Sequence, residues 1–227
     1  MLELDGVRLL TDPVLRKRIL HLRRRVPLPA EPLTELTAAL ISHVHYDHLD
    51  LPSLRSLAPG VPVVVPRGSR RPVRRLADVR ELGVGEEIRF GEVSVRATPA
   101  EHRSARVLHR SPTSVGYVIS GSRRIYFAGD TDLFPEMADI AESLDVALVP
   151  VAGWGAKVGP GHLDPERAAR AVQLLRPRTA VPIHWGTLSP AHRETSDEPP
   201  RTFRELAAHL APEVEVRILA PGEMLRF

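Results

Sequence analysis

The segment Ser42-His43-Val44-His45-Tyr46-Asp47-His48 restricts this chain more than any other feature. Three imidazoles and one carboxylate fall within six residues, directly after an apolar run, Ala38-Ala39-Leu40-Ile41, that reads as a buried strand. Neutral imidazole and carboxylate are the ligands that borderline divalent metals prefer. Any fold for this chain must therefore end a core strand in a loop that aims several histidines at one point. A second short piece, Ala128-Gly129-Asp130-Thr131, is placed the same way, with the expected strand Arg124–Phe127 running into Asp130.

Cysteine is absent, which excludes disulfides and thiolate metal sites and leaves nitrogen and oxygen to hold any metal. The 227 residues can bury a sizeable core, and no long linker or low-complexity stretch divides them, so a single domain over 1–227 is expected. No apolar run approaches the roughly 20 residues needed to cross a bilayer. The first residues alternate apolar and acidic like a strand, not like a signal segment, and a cytoplasmic location is the default expectation. Homo-oligomerisation is left open.

The net charge is only +3, yet the pI is near 9.8. Lysine occurs at Lys17 and Lys157, and the other cations are arginine. Arginine clusters around 16–18, 23–25 and 67–75 can raise the local concentration of an anionic substrate. A GC-rich genome explains such a composition more simply than a nucleic-acid footprint does.

Between Val14 and Val26, Leu15, Ile19, Leu22 and Val26 fall at helical spacing with arginines between them. This predicts a basic amphipathic helix, read as a packed surface helix, a lid over the site or a membrane-surface contact. Strands are expected over 61–65, 87–90, 93–98, 115–120, 124–127, 146–151, 179–183 and 214–219. Helices are expected over 69–76, 135–143, 165–175 and 202–210. Gly91-Glu92 and Gly121-Ser122 mark hairpins. Asp164-Pro165 marks a helix start, with Asp as the cap and Pro in the first turn. Interspersed strands and helices suggest two sheets packed face to face with helices outside, and the ligands gathered at one edge.

His43-Val44-His45-Tyr46-Asp47-His48 and Gly129-Asp130-Thr131 resemble the signatures of the metallo-β-lactamase superfamily. His102, in Pro99-Ala100-Glu101-His102, and His184, in Pro182-Ile183-His184-Trp185-Gly186-Thr187, follow in the same order. Leu10-Thr11-Asp12-Pro13-Val14, Tyr126-Phe127-Ala128-Gly129-Asp130 and His162-Leu163-Asp164-Pro165-Glu166 resemble one branch in particular. That branch contains N-acyl-phosphatidylethanolamine-hydrolysing phospholipase D and L-ascorbate-6-phosphate lactonase. The resemblance implies an α/β fold, a four-layer αββα sandwich, with two divalent metal ions, zinc first and manganese or iron as alternatives. It implies that His43, His45 and His102 hold one ion, that Asp47, His48 and His184 hold the other, and that Asp130 bridges them. Asp47 and Asp130 are then catalytic, with Asp47 orienting a bridging hydroxide. Fewer aromatic residues than in lipid-hydrolysing relatives, with His102-Arg103 and Gly83-Val84-Gly85 in their place, speak against long acyl-chain substrates.

Around these positions, Asp12 reads either as the acceptor for a ligand imidazole or as a turn residue before Pro13. His162 reads as a group reaching the substrate or a proton in transit, or as a histidine near a helix cap. Arg103 and Arg106 could clamp a phosphate or carboxylate, or lie solvated on a loop. Trp185 is read as packing, and His21, His109, His192 and His209 as surface residues. The expected function is hydrolysis of a phosphodiester or lactone-type ester in a small anionic molecule. The alternatives are a nucleic-acid phosphodiesterase and a metal-binding scaffold without turnover. The short interval between Asp130 and His184 leaves no room for the inserted domain of many superfamily nucleases, which disfavours nucleic acid as the partner.

Overall fold

Asp5 and Gly6, both at positive φ, reverse the chain between β1 (Leu2–Leu4) and β2 (Val7–Thr11). The computed structural model describes residues 1–28, 33–102, 114–151, 159–192 and 195–227. Next come β3 (Arg18–Ile19), β4 (Leu22–Arg24), β5 (Ala38–Leu40), α1 (Leu51–Arg55), β6 (Val63–Pro66), α2 (Arg70–Val73) and β7 (Val79–Leu82). The second half contains β8 (Glu87–Phe90), β9 (Val93–Pro99), β10 (Val115–Ser120), β11 (Arg124–Phe127) and β12 (Val146–Pro150). It ends with α3 (Pro165–Leu175), β13 (Thr179–Ile183), β14 (Leu188–Pro190), α4 (Glu198–Leu210) and β15 (Glu215–Val216).

Two sheets carry the core, one ordered β1-β2-β5-β6-β7 and the other β15-β13-β12-β11-β10-β9-β8. Leu9, Leu40 and Val64 of the first meet Val95, Tyr117, Ile125 and Val181 of the second in a shared apolar layer. The outer face of the first sheet, through Ile41 and Val65, is covered by Leu54 and Val73 near the short helices. The outer face of the second, through Tyr126, Ala147 and Val149, packs against Ala168, Val172, Phe203 and Ala207 of α3 and α4. The four layers are therefore helix, sheet, sheet, helix, as expected. Each sheet buries apolar side chains on both faces, which is why β5 and β6 read as unbroken apolar runs. Among the described residues no helix is long and apolar enough to cross a membrane.

One expected element is overturned. Residues 14–26 are not a helix: β3 and β4 form a hairpin that joins β14 in a three-stranded sheet. Ile19 and Leu22 are directly paired across a two-residue turn and both are buried. A two-residue hairpin puts positions i and i+3 on one face, just as a helix does, so the apolar spacing could not separate the two. Other boundaries move less. The expected helix 135–143 is a 3-10 segment, Pro135–Asp139, while α1, β7 and β14 had no clear apolar signal.

Candidate metal centre

The histidine loop is fixed before any side chain enters it. The Tyr117 hydroxyl, buried in the second sheet, donates to the Ile41 carbonyl at 2.8 Å. The Val115 amide donates to the Ser42 carbonyl at 3.0 Å, so β10 of the second sheet grips the exit of β5 twice. Asp12, at the end of β2 with φ 41°, accepts from the Ser42 amide (2.7 Å) and the Ser42 hydroxyl (2.6 Å). Gly129 turns the chain toward Asp130 at φ 61°, so close to this point that a Cβ there would lie 2.5 Å from the Ser42 Cβ. Only glycine fits, which explains its place before Asp130.

Four loops at one sheet edge then bring two triads together. His43 Nε2 and His102 Nε2 lie 3.0 and 3.1 Å from His45 Nδ1. His48 Nε2 lies 3.2 Å from His184 Nε2, and Asp47 Oδ2 stands 3.5 and 3.6 Å from those two atoms. Asp130 reaches both groups: its Oδ2 is 3.2 Å from His48 Nε2 and 3.9 Å from His43 Nε2, and its Oδ1 is 3.6 Å from His184 Nε2. His184 has φ 62°, a conformation disfavoured for a residue with a Cβ, and such strain gathers at functional sites.

The ring orientations are set from outside. His48 Nδ1 donates to Asp12 Oδ2 at 2.7 Å, and His43 Nδ1 pairs with the Ser42 hydroxyl at 3.0 Å, which itself donates to Asp12. His102 Nδ1 donates to the Gly161 carbonyl at 2.6 Å. Each of these bonds fixes the tautomer that leaves Nε2 free toward the centre, as metal-ligating imidazoles require.

Burial, reinforced by neighbouring imidazoles, holds His43 well below the ordinary histidine value. Burial lowers His102 as well and brings His45 down to about 4. The first triad is thus three neutral rings. For His48 burial opposes charge, but Asp130, Asp47 and Asp12 outweigh it and hold the group well above the ordinary value. His184 is raised against burial by Asp130 and Asp47. Burial would raise Asp47 and Asp130, yet His48 and His184 hold both below the usual carboxylate range. The second triad is organised around positive charge.

This donor set fits divalent metal. A tetrahedral ion with bonds of about 2.0–2.1 Å to nitrogen separates its ligand atoms by about 3.3–3.4 Å, close to the imidazole spacings found here. Metal-capable groups of His43, His45 and His102, and of Asp47, His48 and His184, are present among the described residues.

Residues 7–185 match the family model described as beta-lactamase superfamily domain. The chain belongs to the metallo-β-lactamase superfamily. Within it, the chain is 32% identical to a UPF0173 metal-dependent hydrolase of Caldivirga maquilingensis, over 98% of this chain and 92% of the relative. It is 31% identical to N-acyl-phosphatidylethanolamine-hydrolyzing phospholipase D 1 of Caenorhabditis elegans, over 91% of this chain. The chain spans 66% of that nematode protein, just under two thirds of its length. Among solved structures it is similar to Igni18, a metallo hydrolase of Ignicoccus hospitalis, with a TM-score of 0.72 and 26% identity, covering 97% of this chain and 91% of that one. Several relatives of this metallo-β-lactamase chain, among them the one from Caldivirga maquilingensis, are described as metal-dependent hydrolases.

All seven expected ligand residues meet in this superfamily site, and His162 joins them. Its Nε2 is 3.6 Å from Asp130 Oδ2, its ring packs edge-on to His102 at 4.7 Å, and it is about one-third exposed. Asp12 accepts from the His48 ring and also sits at a turn. Trp185 donates to the Pro182 carbonyl and packs against the outer core. His21, His192 and His209 are exposed. Arg103, Arg106 and His109 lie outside the described residues.

Three contributors had no assigned role in the sequence reading. Ser42 relays between His43 and Asp12, and Gly161 supplies the carbonyl for His102 while its positive φ and lack of Cβ admit that ring. Asp132 accepts from the Gly161 amide (3.0 Å) and from Arg167 (3.0 and 3.3 Å), which clasps the His162 loop to the Asp130 loop. The Asp164 cap of α3, which accepts from the Arg167 amide, was the local signal that this loop is structured.

Proposed function

We propose that this protein is a binuclear metal hydrolase that cleaves a phosphodiester or lactone-type ester bond in a small anionic substrate. The observation that carries the reading is the position of Asp130, whose two oxygens face both triads. One carboxylate placed this way can neutralise and hold two cations side by side. His43, His45 and His102 would hold one ion, and Asp47, His48 and His184 the other, zinc first and manganese or iron as alternatives. When bound, such ions polarise a phosphoryl or carbonyl oxygen and make hydroxide available near neutral pH.

The chain's own residues supply the rest. Asp47, kept ionised by His48 and His184, orients the nucleophile. His162 stands partly exposed beside Asp130, where it can protonate the departing oxygen. Phosphodiester chemistry is supported by the likeness to the nematode phospholipase.

The test is hydrolysis of an aryl phosphodiester and a small lactone by the metal-loaded protein, with metal content measured in parallel. Two ions per chain are expected, with turnover of one substrate class lost by at least about a hundredfold in Asp130→Asn and His45→Ala. Two bound ions with neither substrate hydrolysed would move the protein to a metal-binding scaffold.

A further inference from the structure

The hairpin that replaces the expected helix divides its cations in two. No acidic residue lies between Asp12 and Glu31, while Arg16, Lys17, Arg18, Arg23, Arg24 and Arg25 crowd the interval. Three of these are used internally. Arg16 Nε bonds the buried Asp50 at 2.9 Å, Arg24 donates to the Val14 and Arg16 carbonyls, and Arg25 bonds Ser189 at 2.7 Å and the Pro190 carbonyl at 2.9 Å. They root the hairpin between the Asp12 loop, α1 and the strand that follows the His184 loop. Lys17, Arg18 and Arg23 are exposed, and among the described residues none of the three meets a carboxylate.

The outward face holds two further features that packing within the chain does not explain. Arg18 and Arg23 are directly paired across the strands, and like charges at such positions repel. At the turn, Leu20 adopts φ 49° and is 60% exposed. Two-residue hairpins ordinarily place glycine or asparagine at such a φ. A branched apolar side chain is thus held out in water, at a strained position, between two unneutralised arginines. Arg18 Nε also bonds the Leu20 carbonyl at 2.8 Å, which stiffens the tip.

We propose that this hairpin is a docking surface for an anionic phospholipid bilayer, with Leu20 entering the interface and the paired Arg18 and Arg23 meeting the headgroups. Stable attachment to a membrane surface takes two signals, apolar insertion and basic charge, and the hairpin supplies both at its tip, Leu20 at the turn and the Arg18–Arg23 pair beside it. Nucleic acid would satisfy the charge, but a stacking platform for unpaired bases uses aromatic rings, and the tip carries an aliphatic side chain instead. Docking there would bring the loops of the metal centre near the surface without requiring an acyl-chain pocket.

Because the chain has no cysteine, Leu20→Cys gives a unique site for an environment-sensitive fluorophore on the metal-loaded full chain. With vesicles of phosphatidylcholine containing about 30% phosphatidylglycerol, the label is expected to shift to the blue, and with pure phosphatidylcholine to stay unchanged. A label at the exposed Val84, in the turn between β7 and β8 (Val84→Cys), should not respond. In co-sedimentation with unlabelled protein, Arg18→Glu with Arg23→Glu should weaken binding by at least about tenfold, and Leu20→Ser several-fold, with melting temperatures unchanged. Binding that ignores these substitutions, a silent label at position 20, or equal binding to neutral vesicles overturns the proposal. So does duplex DNA that displaces the vesicles while Leu20→Ser has no effect, which would assign the face to nucleic acid.

Discussion

Asp12 does more at this site than a turn residue before proline. One of its oxygens accepts from both His48 and the Ser42 hydroxyl, and Ser42 in turn fixes His43. One carboxylate therefore orients a ring in each triad, directly in one and through a hydroxyl in the other. Substitutions should separate the two branches. Asp12→Asn is expected to weaken metal binding at both triads by about 10–100-fold. Ser42→Ala should weaken the His43 triad alone, because His48 keeps its direct partner. Metal titration against a competing chelator reads both affinities, and equal losses at both triads in Ser42→Ala would sink the two-branch account. This role was half legible beforehand. A carboxylate after a strand and before Pro13 suggested an acceptor, but nothing in the spacing connected it to Ser42, since the link depends on how β2 and β5 lie side by side.

At the scale of elements, the legible parts were those whose apolar pattern has one structural solution. β10 and β11 flank a glycine turn, and α3 begins at its Asp164 cap, both as the residues predict. The 14–26 hairpin was not legible, because its third strand, β14, comes from far along the chain. The clasp formed by Asp132, Gly161 and Arg167 was hidden for the same reason: it joins two loops that are distant in sequence. Its consequence is specific. Arg167 holds Asp132, Asp132 holds the Gly161 amide, and the Gly161 carbonyl orients His102. Arg167→Ala should therefore weaken metal at the His102 triad by about tenfold and lower kcat through His162. The second triad should be untouched. The Arg167 guanidinium is partly exposed, so melting should change little, which separates positioning from a general structural role. If Arg167→Ala instead lowered both metal affinities together with the melting temperature, the clasp would be merely structural.

For the whole molecule, the two triads differ in how they treat protons, and this gives an order of metal release. A histidine whose value is raised in the folded protein keeps its proton to higher pH, and a metal must displace that proton to bind. His48 and His184 are both raised by the surrounding carboxylates, so affinity at their triad declines with falling pH from above about 6.5. His43, His45 and His102 are all lowered, so their nitrogens stay available well below that point, down toward about 4 for His45. Asp47 and Asp130 remain ionised throughout this range. Acidification should thus empty the His48–His184 triad first and leave an intermediate with one ion per chain. Dialysis across this pH range, with metal counted at each step, should show two separate losses. His184→Ala should abolish the earlier loss and His45→Ala the later one. Loss of both ions in a single step, or the reverse order in the variants, would mean that the bridging Asp130 couples the triads more strongly than their separate surroundings distinguish them.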